Sequence, residues 1–278
     1  MSSNPYRGRL APTPTGHLHL GHARTFWIAQ QRAERAGGRL VLRVEDLDRD
    51  RCKPQYSSGL LEDLAWFGFC WQEGPDVGGD FGPYTQSDRQ PFYIRLWQQL
   101  NRTGAIYPSL HSRKDVSRAL SAPHEGDGEM VFPVQLRPAT WAPVTKPGAV
   151  NWRFRVPDGE TVEFIDQHLG PQAFTAGQDF GDFLVWRRDG FPSYDLAVVA
   201  DDGAMAVSEV VRGEDLLLST AKQILLYRAL EWKIPTFYHC LLVRDEAGRR
   251  LAKRDGARSL RSLRQRGVSP EAIRADWR

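Results

Sequence analysis

Only three cysteines occur in 278 residues, Cys52, Cys70 and Cys240, and none stands in a Cys-x-x-Cys spacing. That scarcity excludes a disulfide-framed fold and a cysteine zinc knuckle, so the thiols read as reduced. Long apolar runs are missing as well. No stretch approaches the roughly 20 residues needed to cross a bilayer, so no membrane span is expected. The polar N-terminus lacks the apolar core of a secretory signal, which makes the cytoplasm the expected compartment. A strong charge of one sign is absent too. The formal net charge of +3 permits an anionic partner without establishing one. No internal repeat is evident.

What is present is apolar and aromatic. With 41% hydrophobic residues and nine tryptophans, the chain can bury the core of one large domain or two coupled ones, and disorder is excluded. Positive charge is concentrated late: residues 244–266 hold eight arginines and one lysine against Asp245, Glu246 and Asp255. Such a segment suits phosphates, although a solvated helix face would carry the same charges.

Residues 8–11 read as a strand running into the turn Pro12-Thr13-Pro14-Thr15-Gly16. A helical stripe through Phe26, Trp27, Ala29 and Ala33 follows over residues 21–36, closed by Gly37-Gly38, before a strand at 39–44. Strand, turn, helix and strand open an α/β fold with a doubly wound parallel sheet. Helices are expected at 55–67 and 90–103, and residues 121–149, rich in Pro, Gly and Ala, read as loops. Trp152, Phe154 and Val156 then alternate with Arg153 and Arg155 as a strand. Turn signals at Pro157-Asp158-Gly159, Asp189-Gly190 and Asp201-Asp202-Gly203 imply an antiparallel insertion, after which a long helix returns over 214–232.

His17, His19 and His22 crowd the turn before the first helix. A metal site is the first reading, but no cysteine or well-spaced acid accompanies them. Nucleotide phosphates suit the arrangement better, because a helix start supplies unpaired N–H donors and positive potential, and Gly16 and Gly21 allow close approach. Much later, Arg250-Leu251-Ala252-Lys253-Arg254-Asp255 offers a lysine able to balance charge on a departing pyrophosphate, or else an exposed basic loop.

Together, His19-Leu20-Gly21-His22 and Leu251-Ala252-Lys253-Arg254 resemble the two signatures of class I aminoacyl-tRNA synthetases. The run from Arg9 to Arg24 is similar to the glutamyl branch of that family, as are Leu42-Arg43-Val44-Glu45-Asp46-Leu47-Asp48 and Val210-Val211-Arg212-Gly213-Glu214-Asp215-Leu216. The resemblance implies a Rossmann-like core that binds ATP with Mg²⁺ through His19, Gly21, His22 and Lys253, with His19, His22 and Lys253 catalytic. It further implies a glutamate pocket of Arg9, Thr13, Glu45, Tyr194 and Arg212. The chemistry agrees independently: two carboxylates and one ammonium want two cations and an anion. A structural ion pair for Arg9 and Glu45, and a core position for Tyr194, are the competing readings.

The expected division is a catalytic core at 1–104 and 191–255, interrupted by an inserted α+β acceptor-type domain at 105–190 and followed by a basic segment at 256–278. Only 25 residues follow Lys253, too few for an anticodon-binding domain. The chain therefore looks like the truncated members of the branch, which attach glutamate to queuosine in the anticodon loop of tRNA(Asp). A monomer acting on that anticodon stem-loop is expected, with Arg258, Arg261, Arg264 and Arg266 on the RNA backbone. Two departures stand out. Arg250 and Ala252 replace the usual Lys and Ser of the lysine signature. Ser109, His111, Phe132 and Leu136 occupy the places where many truncated members hold zinc, so no zinc is expected. The alternatives are adenylation of another small carboxylic acid without RNA, and a non-catalytic RNA-binding relative.

Overall fold

The computed structural model describes residues 5–111, 131–242, 259–275 and 277. The chain forms two compact units, one of Met1–Arg89, Ala206–Asp215 and Pro235–Arg278, the other of Gln90–Met205 and Leu216–Ile234.

The first unit is built on parallel strands. β1 (Arg7–Leu10) pairs with β2 (Arg39–Leu42), and helix α1 (Leu20–Arg35) makes the crossover between them. β8 (Glu209–Gly213) pairs with β9 (Thr236–Cys240), also in parallel. Ser208 N donates to Arg7 O at 2.9 Å, which brings the two pairs side by side. Leu10, Leu40, Leu42, Ala23, Phe26, Ala29 and Ala33 bury one continuous core. Alternation along β1 places Arg7 and Arg9 on the face opposite Leu10. Helix α2 (Pro54–Phe67) adds Leu60, Leu64 and Phe67 to that core, and ends at Gly68 in the left-handed region, φ 93°, which favours glycine. The short helices α6 (Leu260–Gln265) and α7 (Pro270–Ala275) close the unit through Leu260, Leu263 and Ile273.

Several boundaries follow the apolar pattern closely. Helix 21–36 is α1, helix 55–67 is α2, and helix 90–103 is α3 (Gln90–Arg102) in the second unit. There α3 is followed by β3 (Ile106–Ser109), β4 (Asn151–Phe154) and β7 (Leu184–Trp186), an antiparallel sheet in the order β3-β4-β7. Trp97 meets Trp152 edge-on at 4.8 Å. A hairpin of β5 (Thr161–Asp166) and β6 (Gly170–Thr175) and two helices, α4 (Tyr194–Ala204) and α5 (Leu217–Ala229), complete this unit.

One expectation is overturned. Asp201-Asp202-Gly203 is no turn but the last part of α4. Ser193 caps that helix by accepting from Leu196 N, and Asp201, fully buried, accepts from Tyr93 Oη at 2.9 Å. Gly203 is there because a Cβ would strike the Trp232 ring. The helix expected over 214–232 begins as a 3-10 turn, Glu214–Leu216, before α5.

Candidate active site

Arg9 and Arg212 lie on the parallel strands β1 and β8 of the first unit, and Thr13 and Glu45 lie just beyond the carboxyl ends of β1 and β2. Arg9, 5% exposed, donates from Nη1 to Val211 O at 2.7 Å, so it reaches the residue just before Arg212. Beyond β2 the chain keeps its parallel course: Arg43 N donates to Leu10 O and Glu45 N to Pro12 O, at 2.9 and 3.0 Å. Glu45 is thereby fixed beside the exposed Thr13. The carboxyl ends of parallel strands, where connections diverge, are the usual ligand crevice of open α/β sheets.

Glu45 has a partner that sequence reasoning did not single out. Arg43, with no exposed surface, donates from Nη2 to Glu45 Oε1 at 2.9 Å, with Nε at 3.3 Å. The signal was present as a period of two in an otherwise apolar strand. His239, fully buried, was also overlooked; Arg212 Nε donates to its Nε2 at 3.2 Å.

The start of α1 supplies the second half of the site. His19 is the N-cap, its Nδ1 accepting from Gly21 N at 3.2 Å. That places the imidazole proton on Nε2, a donor. The His19 and His22 rings lie 3.8 Å apart between centroids, tilted by 33°. A Cβ on Gly21 would press the His19 ring at 3.2 Å, so the glycine makes room for the capping geometry. His17 goes elsewhere, edge-on to Tyr56 at 5.1 Å.

Lys253 and Arg258 lie outside the described residues. The residues flanking their segment are held in the first unit: Leu242 N donates to Glu214 Oε1 at 2.9 Å, and Ser259 bridges His19 while Leu260 N donates to Leu18 O at 2.7 Å. Tyr194 belongs to the second unit, where it opens α4 with 41% of its surface exposed, which is not a core position.

Of the arginines expected on RNA, Arg264 and Arg266 are exposed, but Arg261 is turned inward. It donates to Gly59 O at 3.3 Å and to Asp63 Oδ1 at 3.4 Å, pinning α6 to α2. Burial pushes the Asp63 carboxyl up, and Arg261 opposes that rise.

In the second unit two of the zinc-equivalent positions, Phe132 and Leu136, serve packing, and Ser109 Oγ accepts from Arg153 Nε at 3.3 Å. Leu136 packs on Tyr107 and Phe132, and the Arg153 guanidinium lies 4.1 Å from the Phe132 ring centroid. Beside them Asp182 accepts from Tyr107 Oη, from Val156 N at 2.9 Å and from Arg137 Nε at 2.6 Å. Among the described residues no cluster of three or more His, Cys, Asp or Glu is arranged to hold a metal, and no helix is long and apolar enough to cross a membrane.

This constellation, a histidine-capped helix start and buried arginines on parallel strands of one unit, coincides with a family assignment. The catalytic domain of class I tRNA synthetases (E and Q) matches residues 6–277, and the chain belongs to that family. Within it, a glutamyl-Q tRNA(Asp) synthetase of Symbiobacterium thermophilum is 46% identical over 96% of this chain and 83% of its own length. One from Nitratidesulfovibrio vulgaris is 44% identical over 94% and 82%. Among solved structures, a glutamate tRNA ligase from Elizabethkingia meningosepticum, in complex with its amino acid, superposes with a TM-score of 0.79 at 31% identity, covering 91% of this chain and 53% of the ligase.

Proposed function

We propose that the protein activates glutamate with ATP to form glutamyl-adenylate and transfers the glutamyl group to queuosine in the anticodon loop of tRNA(Asp). The observation that carries this reading is the placement of the buried Arg9 and Arg212 on parallel strands joined by the bond from Arg9 to Val211 O, with Glu45 held against Pro12 just past β2, in the unit that also holds the start of α1. Two buried guanidiniums suit the two carboxylates of glutamate, and Glu45 suits its ammonium. Thr13, next to Glu45 in the same unit, is a further contact, and Tyr194 is assigned to glutamate by the family resemblance alone. The α-carboxylate attacks the α-phosphate of Mg·ATP, and pyrophosphate leaves. The α1 amides, His19 and His22 bind the phosphates, Gly21 admits them, and Lys253 balances the charge that develops.

The queuosine acceptor is supported by the names of the two glutamyl-Q relatives and their 46% and 44% identity. Residues 105–190 then serve as the inserted acceptor-type domain, and the enzyme acts as a cytoplasmic monomer without zinc. The test is transfer of labelled glutamate to tRNA(Asp) with and without queuosine, beside tRNA(Glu). Transfer only to queuosine-bearing tRNA(Asp) is expected. Charging of tRNA(Glu) alone defeats the acceptor assignment and leaves adenylate formation standing.

A further inference from the structure

Arg212 and His239 are register partners in the parallel β8–β9 pair, so both side chains leave the same face. The bond from Arg212 Nε to His239 Nε2, 3.2 Å, makes the imidazole an acceptor there. Its proton must then sit on Nδ1, and the ring is neutral. Phe237, two residues earlier on the same face, stacks on His239 with centroids 6.3 Å apart and planes 19° from parallel. The Arg212 guanidinium carbon lies 5.7 Å from the Phe237 centroid. Nε is the donor nearest the arginine stem. A bond at that atom sets the plane of the guanidinium, which is what bidentate recognition of a carboxylate depends on.

We propose that His239 is a positioning residue: it holds Arg212 in the plane that meets a substrate carboxylate, and so sets glutamate affinity and the choice of glutamate over glutamine. This rests on the reading of Arg212 as a glutamate contact. The experiment is amino-acid-dependent pyrophosphate exchange on the full chain, with thermal melting in parallel, for His239→Leu, His239→Gln and Arg212→Lys. Leucine fills the volume without an acceptor, whereas the glutamine amide oxygen falls near the place of Nε2. His239→Leu should raise KM for glutamate about tenfold and narrow the preference over glutamine, the scale of a hydrogen bond to a charged group. KM for ATP should not move, and His239→Gln should recover most of the loss. If His239→Leu does not fold, His239→Asn, whose shorter arm draws the acceptor away, reads the same KM. A lowered melting temperature with KM for glutamate unchanged, and no recovery by glutamine, overturns the inference and leaves His239 a core residue. The Arg212→Lys arm separates the two failures. An unchanged glutamate KM there sinks the reading of Arg212 itself, whereas a raised one beside a silent His239→Leu sinks only the positioning role.

Discussion

The buried pair of Arg43 and Glu45 allows stability and function to be separated. Arg43 has no solvent exposure and Glu45 is 7% exposed, and two bonds of 2.9 and 3.3 Å join them. Removing one member of such a pair leaves the other charge buried without this partner, at a cost of about 3–5 kcal/mol. Arg43→Met and Glu45→Gln should each destabilise on that scale. Removing both charges at once avoids the penalty, so the double variant should be more stable than Arg43→Met alone, with a coupling energy of about 2–3 kcal/mol. Urea unfolding with linear extrapolation measures this directly. Activity should not follow. If Glu45 receives the glutamate ammonium, the double variant recovers its fold yet keeps the raised KM for glutamate seen in Glu45→Gln. Two results would refute the reasoning: additive losses of stability, which would mean that the pair is not coupled, or exchange activity returning together with stability, which would make Glu45 purely structural.

Other outcomes are expected on the same physical footing. Lys253→Ala should lower the rate constant of exchange far more than it raises the glutamate KM, since the proposed place of the ammonium is where charge develops; equal effects would make its segment a mere basic loop. Arg7 holds the Glu73 carboxyl below its ordinary 4.5 by a hydrogen bond, so this stability is full above 4.5 and lost as pH falls through the lowered value. The difference in melting temperature between the wild type and Glu73→Gln should therefore be complete at about pH 6 and shrink below about pH 4, and a constant difference would contradict it. Gly38→Ala should destabilise by about 1–3 kcal/mol in urea unfolding, because its Cβ would collide with Tyr6 O ahead of β1. Chelation followed by return of Mg²⁺ should leave melting and exchange unchanged, and one zinc per chain by elemental analysis would redirect attention to His111.

Legibility of the fold tracks how far each element relies on its own periodicity. Helices α1, α2 and α3 carry apolar stripes and stop signals such as Gly68, and their bounds were readable to within about two residues. Helix α4 was not, because its acids and glycine imitate a turn while being spent on Tyr93 and on the close approach of Trp232. Strands β8 and β9 also went unread as strands. Both are five residues long, and Glu209 and Arg212 in β8 and His239 in β9 interrupt the apolar residues without a clean alternation, so neither strand pattern shows.

The site divides along a similar line. Residues proposed to meet a ligand sit in motifs whose local order is visible, as with His19, Gly21 and His22 at a helix start. Residues that orient them are chosen by proximity in space, which a linear pattern does not record. Arg43 supports Glu45 from two positions away, close enough to have been noticed, but His239 reaches Arg212 across 27 residues through strand register. Arg261 departs from the expected exposed stripe for the opposite reason. Its neighbours in sequence suggested an RNA-facing stripe, yet a cation beside the buried Asp63 stabilises more by pairing than by facing solvent, so it turned toward α2. A basic run therefore predicts which segment is cationic, and only the location of buried carboxylates decides which of its arginines remain available to a phosphate.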